Sequence, residues 1–262
     1  MKSICISSSI ANFKDKLRAK HPDRYTWNPL FPFFPTIFYG AYHWVDYLRI
    51  WLHFGKRTIF WCGSDILYLE VSALGQWIMS GIEADHVCEN LIEQIRLKRM
   101  GVFARIQPAL FDHEALTLPV SYKHSNKPHV FLTSHPDGES YGVGIVESIA
   151  QKVPDVTFHI YGVYGRTHDN IIYHGLVTNE RFNEQISRFQ GALRLNDFDG
   201  FSESVAKSLI MGQYPITKIF YPHTTYIANN TQIIKALKDL KNKKRPNLKG
   251  RNYWLKELSK EL

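Results

Sequence analysis

The sequence QGALRLNDFDGFSESVAKSLIMGQYPIT, residues 190–217, contains the signals of a strand, a tight polar turn, a helix and a second short strand. It begins with an apolar run that includes Arg194, and Asp199-Gly200 is a turn signal. Residues 202–211 then carry apolar side chains at helical spacing. The start of such a helix presents backbone N–H groups and a positive dipole end, which suit an anionic group such as a diphosphate.

Strand and helix signals alternate along two long stretches of the chain, the second of which includes residues 190–217. In the first stretch we predict strands at residues 2–7, 57–62, 85–87 and 102–107, and helices at residues 12–20, 40–54 and 89–100. A second alternating stretch covers residues 128–220, with helices predicted at 143–151 and 180–189. Residues 29–45 contain three prolines and are predicted as a loop followed by a helix. Such alternation predicts parallel sheets covered on both faces.

Composition agrees with two modest globular domains. The chain has 262 residues, of which 44% are hydrophobic and 21% charged, enough for each domain to bury a core. Its three cysteines show no C-x-x-C spacing, so neither a disulfide framework nor a zinc site is indicated, and a reducing cytoplasm fits best. The sequence contains no recognisable secretory signal or membrane span, because its apolar runs are short or interrupted by proline.

Five residues of the opening stretch resemble the donor-binding motif of retaining GT-B glycosyltransferases of the family 4 (group 1) type. In that motif an acidic residue, a glycine and an aromatic residue open the helix, and a glycine–proline turn closes it. The matching residues here are Asp199, Gly200, Phe201, Gly212 and Pro215.

Other parts of the chain resemble the same family in the same order. The sequence FWCGSDI, residues 60–66, resembles the strand and loop that face the cleft from the N-terminal domain. Residues 130–134, 157–162 and 170–175 resemble successive strands of the C-terminal domain. The resemblance implies an α/β fold of the GT-B type, in which two Rossmann-like domains with parallel sheets face a central cleft and the N-terminal domain is compact.

The domain boundaries follow from the resemblance and from the distribution of prolines. We predict an N-terminal acceptor-side domain at residues 1–107, a linker at 108–127 and a C-terminal donor-nucleotide-binding domain at 128–245. Residues 246–262 are expected to form a tail whose helix returns toward the N-terminal domain.

The resemblance also implies an activity, which is transfer of a sugar, expected to be a hexose, from a nucleotide-diphosphate sugar with retention of configuration. Apart from that co-substrate, we expect no bound cofactor and no protein-bound metal. The acceptor side is expected at Gly63, Ser64 and Asp65, with Asp65 and Arg194 as catalytic residues. The donor is expected at His135, Arg194, Asp199, Gly200, Phe201, Ser202 and Lys207.

Several of these residues have an ordinary alternative. Asp65 could act only as a loop or helix-cap residue. Arg194 within an apolar strand must be explained either by a donor phosphate or by a buried ion pair with Asp197 or Asp199. Lys207 would more commonly lie on a solvated helix face. His135 could be a simple loop histidine, and Glu139 with Ser140 is expected to cap the next helix.

The chain also departs from the family's pattern. Lys207 stands where the family has a second carboxylate for the donor ribose, and a lysine cannot accept hydroxyl protons. The basic pair that grips the donor phosphates is missing from residues 134–139, and Cys62 replaces a Trp or His. A catalytically lapsed sugar-nucleotide or glycan-binding protein is therefore an alternative. Asp197-Phe198-Asp199 also matches the short D-x-D metal signature of another glycosyltransferase fold, but the following helix favours GT-B.

The formal net charge of +8 predicts an anionic partner. Basic residues form two clusters, Lys14, Lys16, Arg18, Lys20 and Arg24, and Lys241, Lys243, Lys244, Arg245, Lys249 and Arg251. Because the first cluster precedes an aromatic segment, we expect an anionic membrane surface and a surface or lipid-linked glycan acceptor, handled by a cytoplasmic protein peripheral on the inner membrane face. Modified bases in DNA are the alternative acceptor, and a solvated surface is the alternative to both.

Overall fold

The computed structural model describes residues 2–135, 141–166 and 168–260. These residues form two compact units. Unit 1 consists of Met1–His113 with Phe198–Phe201, and unit 2 consists of Glu114–Asp197 with Ser202–Leu262. Each unit contains a six-stranded sheet.

Unit 1 is built on a parallel sheet with the strand order β2-β1-β3-β4-β5-β6. Its strands are β1 (Ser3–Ile6), β2 (Tyr25–Thr26), β3 (Thr36–Tyr39), β4 (Arg57–Phe60), β5 (Asp85–Cys88) and β6 (Ala104–Ile106). Its helices are a 3₁₀ helix at Ser8–Phe13, α1 (Lys14–Lys20), α2 (Trp44–Trp51), α3 (Asp65–Glu70), α4 (Ala73–Gly81) and α5 (Leu91–Arg99). A second 3₁₀ helix, His113–Thr117, lies where unit 1 gives way to unit 2.

Unit 2 is also built on a parallel sheet, in the order β12-β11-β10-β7-β8-β9. The strands are β7 (His129–Thr133), β8 (Thr157–Tyr161), β9 (Ile171–Gly175), β10 (Gly191–Arg194), β11 (Ile216–Thr217) and β12 (Thr225–Tyr226). The helices are α6 (Val143–Ala150), α7 (Asn179–Ile186), α8 (Glu203–Ile210), α9 (Asn230–Asp239), a 3₁₀ helix at Leu240–Asn242 and α10 (Leu248–Leu258).

The central strands of both sheets are buried on both faces. All four residues of β3 and of β10 are buried, as are the three middle residues of β7. Strands of this kind are typical of parallel sheets that helices cover on each side. The structure therefore confirms the predicted α/β fold with two parallel sheets.

Residues 29–45 differ from the prediction of a loop followed by a helix. They contain β3, whose four residues TIFY form a buried strand beside β1 and β4. The helix begins only at Trp44, where His43 and Asp46 form a capping box. The prediction failed because Pro32 and Pro35 indicated a loop. The strand between Pro35 and Gly40 is too short to show the alternation of apolar and polar residues that identifies a strand.

The last helix, α10, packs on α8 within unit 2. Trp254 Nε1 donates to the carbonyl oxygen of Pro222 at 2.8 Å, and Arg251 donates to the carbonyl oxygens of Leu118 and Ile210. The return of this helix toward the N-terminal domain and the predicted domain boundaries stay predictions. Within the described part of the chain, no helix combines the length and apolar character that a bilayer crossing requires.

Candidate functional site

In unit 1 the predicted acceptor-side residues follow β4. Gly63 has a φ of +90°, a conformation that glycine adopts without the strain of a Cβ atom. Asp65 begins α3, and its carboxylate is fully buried. That carboxylate accepts hydrogen bonds from the backbone N–H of Cys62 at 3.0 Å and of Ala41 at 3.2 Å. Asp65 therefore ties the loop after β4 to the loop after β3.

Burial also changes the proton affinity of Asp65. Loss of solvation raises the pKa of this carboxyl to about 7, although the backbone N–H groups of Cys62 and Ala41 oppose the rise. A carboxyl group that titrates near neutrality can accept or release a proton under ordinary conditions. The same hydrogen bonds give Asp65 a structural part in its loop, and its catalytic role stays a prediction.

The predicted donor-motif residues Asp199, Gly200 and Phe201 also belong to unit 1. Hydrogen bonds to neighbouring side chains help to hold them. Asn90 Nδ2 donates to the carbonyl oxygen of Asp199 at 2.8 Å, and the backbone N–H of Phe201 donates to Glu89 Oε2 at 2.9 Å. The structure thus fixes this segment through side chains that follow β5.

Gly63 and Gly200 approach each other closely in unit 1. A Cβ atom on Gly63 would lie 2.7 Å from the backbone nitrogen of Gly200, and one on Gly200 would collide with the Glu89 carboxylate. Gly63 therefore requires glycine for reasons of both space and backbone conformation, whereas Gly200 requires it for reasons of space alone. The structure brings the predicted residues Gly63, Asp65 and Gly200 to one region of unit 1.

Two buried acids in this region, Glu89 and Glu93, were not predicted as site residues. Glu93 Oε2 accepts from the backbone N–H of Glu89 at 2.6 Å, and Glu89 Oε1 accepts from that of Ala109 at 3.4 Å. Burial raises the pKa of both carboxyls, and their mutual repulsion adds to the rise for Glu93. The sequence signal that was missed is Asn-x-x-Glu directly after a strand, because Asn90 caps α5 and accepts from the backbone N–H of Glu93 at 3.1 Å.

In unit 2 the predicted catalytic residue Arg194 ends β10. Its side chain is buried, and its guanidinium carbon lies 4.4 Å from the ring centroid of Tyr141. Asp197, one of its two predicted ion-pair partners, pairs with Lys218 Nζ at 3.0 Å. Arg194 and Lys218 follow the neighbouring strands β10 and β11 at their carboxyl ends, the edge where open α/β sheets bind ligands.

Lys207 does not lie on a solvated helix face, and that expectation is wrong. Every residue from Ser204 to Ile210 is buried in α8, and Lys207 is only 2% exposed. Its ammonium lies 2.7 Å from Asn179 Oδ1 and 5.6 Å from the ring centroid of Phe182. A buried ammonium needs such partners, and α7 supplies them. Contact of Lys207 with a donor stays a prediction.

The other predicted donor residues of unit 2 are Ser202 and His135. Ser202 is the N-cap of α8, but its hydroxyl pairs with that of Ser204 at 2.8 Å instead of capping the helix. His135 is exposed and ends a described segment. The predicted capping by Glu139 and Ser140 lies outside the described residues, as does most of the loop after β7.

The D-x-D match does not form a cluster of acids. Asp197 belongs to unit 2 and pairs with Lys218, whereas Asp199 belongs to unit 1. In the part of the chain that the structure describes, no group of three or more His, Cys, Asp or Glu side chains is arranged to hold a metal ion.

No family model and no curated protein sequence matches this chain. Solved structures do match it, and one is Anabaena Alr3699/HepE in complex with UDP, at 9% identity over 98% of this chain and 96% of that chain, with a TM-score of 0.69. Another is the lipopolysaccharide outer core galactosyltransferase WaaB in its apo form, at 11% identity over 96% and 78%, with a TM-score of 0.62. Sucrose-phosphate synthase from Thermosynechococcus elongatus matches at 12% identity over 95% and 74%, with a TM-score of 0.60.

The matches differ in how much of the other chain they cover. The chain spans about half the length of the TarM structures, at 11% identity with TM-scores of 0.54 and 0.55. At such identities the likeness concerns the fold. That fold, with its two six-stranded parallel sheets, is the GT-B fold of glycosyltransferases, as the sequence resemblance predicted.

Proposed function

We propose that the protein is a glycosyltransferase that uses a nucleotide-diphosphate sugar. The observation that carries this proposal is Arg194, a buried cation that ends β10, directly before the loop that leads to α8. A buried guanidinium is suited to a diphosphate because its planar set of N–H groups can bind two oxygens at once. Structures of the same fold that hold UDP, such as Alr3699/HepE and TarM, support a uridine nucleotide.

The proposed chemistry assigns the diphosphate to unit 2. As the bond to the sugar breaks, negative charge grows on the leaving diphosphate, and Arg194 with the backbone N–H groups at the start of α8 would stabilise it. Lys218, on the neighbouring strand end, adds a second cation to the same edge of the sheet. Such preorganised charges lower the barrier without a change in the protein's own bonds.

We assign the acceptor to unit 1, beside the loop that contains Asp65. A carboxyl with a pKa near neutrality can exchange a proton with an acceptor hydroxyl. The proposed transfer is of a hexose, with retention of configuration, to a surface or lipid-linked glycan. Retention and the hexose rest on the sequence resemblance alone.

A docking surface in unit 1 supports an acceptor at an anionic membrane. Large apolar side chains before β3 and at the end of α2 are exposed, including Phe33 at 70% and Phe54 at 67%, and these two rings stack at 5.8 Å. Exposed aromatic side chains together with basic residues are typical of proteins that bind the surface of a bilayer. We therefore propose a peripheral protein of the inner membrane face, with DNA as the alternative anionic partner.

The experiment that tests the donor proposal is calorimetric titration of the protein with UDP. Arg194→Ala should weaken UDP binding by about 1.5–3 kcal/mol, the range for a hydrogen bond to a charged group. Arg188→Ala is the matched control, because Arg188 is an exposed arginine of unit 2 that pairs with the exposed Glu184. Equal UDP affinity of wild type and Arg194→Ala would reject the assignment. Binding of UDP without turnover of any UDP-sugar would favour the lapsed binding protein.

A further inference from the structure

A pocket of about 310 Å³ lies at the carboxyl end of β1, entirely within unit 1. Three cationic side chains line it, Lys14, Arg18 and Arg49, together with Thr26 and the apolar side chain of Ile6. The described residues that line this pocket include no aspartate or glutamate. Its volume is at the lower end of the range for small-molecule sites, about 300–1,000 Å³, and suits a ligand of about one sugar unit.

The cations of this pocket are placed by specific contacts. Arg18 donates to the hydroxyl of Thr26 at 2.8 Å, which fixes one of its five N–H groups and orients the guanidinium. Arg49 is half-buried and lies 3.5 Å from Asp46. These contacts distinguish the two arginines from basic side chains that move freely in solvent.

Asp46 offsets only a part of this positive charge. Its carboxylate accepts from the Ser7 hydroxyl at 2.7 Å and from the backbone N–H groups of Tyr42 and His43, both at 3.2 Å. Even if Asp46 fully neutralises Arg49, Lys14 and Arg18 remain, and no aspartate or glutamate is among the described residues that line the pocket. Like charges that line one pocket repel each other, and an anion bound among them relieves the repulsion.

The pocket lies beside the proposed acceptor loop. Residues 40–43 connect the two regions. The backbone N–H groups of Tyr42 and His43 donate to Asp46, and that of Ala41 donates to Asp65. Residues 40–43 therefore contact both Asp65 and Asp46, and Asp46 in turn contacts Ser7 and Arg49 of the pocket lining. Strands β1, β3 and β4 are neighbours, so the pocket and the loop after β4 are separated by about 10 Å, two strand spacings.

We propose that this pocket binds a phosphate or carboxylate group carried by the acceptor, so that the acceptor is an anionic glycan or an anionic lipid-linked sugar. Fork-shaped pairing by Arg18 and Arg49 recognises either oxyanion, and Lys14 adds a third positive charge. The identification of the ligand as the acceptor rests on the proposed function. The binding of an oxyanion does not, and the two are tested separately.

The test is titration of the full chain with four probes, glucose 6-phosphate, glucuronate, neutral glucose and UDP. We expect both anionic sugars to bind and glucose to bind at least tenfold more weakly. The double variant Arg18→Gln/Arg49→Gln should lose at least tenfold of the affinity for the anionic sugars and keep that for UDP. Lys98→Gln/Arg99→Gln is the matched control, because it removes the same charge from the exposed last turn of α5.

A second variant keeps the test valid if the first is unstable. Arg18→Lys/Arg49→Lys retains the positive charge but not the planar guanidinium groups that can bind two oxygens at once. We expect this variant to bind the anionic sugars with intermediate affinity. Anionic sugars that bind no better than glucose, or that bind the glutamine variant as well as wild type, would overturn the proposal even if UDP binds normally. Absence of UDP binding with arginine-dependent binding of the anionic sugars would reject the donor assignment and leave the pocket an oxyanion site.

Vesicles identify the source of the oxyanion. If the group is a lipid headgroup, anionic vesicles should bind wild type and the control variant but lose affinity for Arg18→Gln/Arg49→Gln. If the group belongs to a soluble glycan, both arginine variants should bind the vesicles as wild type does, while the loss for glucose 6-phosphate persists. Loss of vesicle binding to the same degree in the control variant would show general charge attraction and would count against the pocket as a headgroup site.

Discussion

The two units bury ionisable side chains of opposite type. Among the described residues, the buried acids all belong to unit 1, and they are Asp46, Asp65, Glu89, Glu93 and Asp112. The buried Lys and Arg side chains of those residues both belong to unit 2, and they are Lys207 and Arg194. Because burial of a charge is costly without a partner, each sign needs a separate explanation.

The acids of unit 1 bind the protein's own backbone. Asp46, Asp65 and Glu89 each accept two backbone N–H groups from loops at the carboxyl ends of strands. In unit 2, Arg194 and Lys207 contact aromatic rings, and Arg194 lies at the carboxyl edge of the sheet, where we have proposed the diphosphate site. The difference teaches that buried carboxyl oxygens in unit 1 hold loops through hydrogen bonds, whereas the buried cations of unit 2 are suited to an external anion.

The largest effect should come from Glu89. Glu89→Ala leaves the buried N–H groups of Phe201 and Ala109 without this acceptor and opens a cavity, so the free energy of unfolding should fall by about 3–5 kcal/mol in urea titration. Glu83→Ala, at an exposed glutamate of the same unit, should change it by less than about 0.5 kcal/mol. Similar stabilities for the two variants would mean that Glu89 does not hold the Asp199–Phe201 segment.

A somewhat smaller effect on activity should follow from Asp65→Asn. Sugar transfer should fall about 100-fold, the lower range for loss of a proton-transfer group, while UDP affinity stays within about twofold of wild type. The variant must keep its thermal midpoint for this result to count. A drop in transfer and UDP affinity together, with a lower midpoint, would show that Asp65 only fixes its loop.

The buried acids also predict how stability depends on pH. Because the pKa of Glu93 is raised in the folded protein, the fold holds a proton that the unfolded chain releases near pH 4.3. The free energy of unfolding should therefore fall as the pH rises from about 4.3 through neutrality, by at most about 1.4 kcal/mol per pH unit for each proton. Glu93→Gln should flatten this fall between pH 5 and 8, and Glu83→Gln should not.

The smallest expected effect has the opposite sign and belongs to unit 2. His129, His159 and His174 form a hydrogen-bonded row across β7, β8 and β9, with nitrogen distances of 2.9 Å. Burial lowers the pKa of His159 to about 3, whereas an unfolded histidine binds a proton near pH 6.5. Stability should therefore fall below about pH 6.5, at no more than about 1.4 kcal/mol per pH unit for this proton.

His159→Gln tests this prediction, because glutamine can donate and accept a hydrogen bond but does not titrate near these pH values. The variant should lose less stability between pH 6.5 and 5 than wild type does. His168→Gln, at an exposed histidine of unit 2, should follow the wild-type curve. If His159→Gln loses as much stability between pH 6.5 and 5 as wild type does, the three hydrogen-bonded histidines do not control acid sensitivity.

The sequence predicted those features that local patterns encode. Alternating strand and helix signals predicted the two parallel sheets, and Asp199-Gly200 lies in the connection between β10 and α8. β3 was missed because its four residues, between Pro35 and Gly40, are too few to show a period. Whether a charged side chain is buried depends on packing between distant segments. Lys207 was therefore expected in solvent, and Glu89, which contacts Phe201, was not recognised.

The Phe198–Phe201 segment affects how unit 1 folds during translation. Unit 1 receives four of its residues from far along the chain, 85 positions after His113. At about 5–20 residues per second, roughly 4–17 s of translation separate the synthesis of His113 from that of Phe198, where the second part of unit 1 begins. During that interval unit 1 must persist in an incomplete form. A nascent chain stalled before residue 198 should therefore be more sensitive to protease in the Glu89 region than one stalled after the segment has emerged.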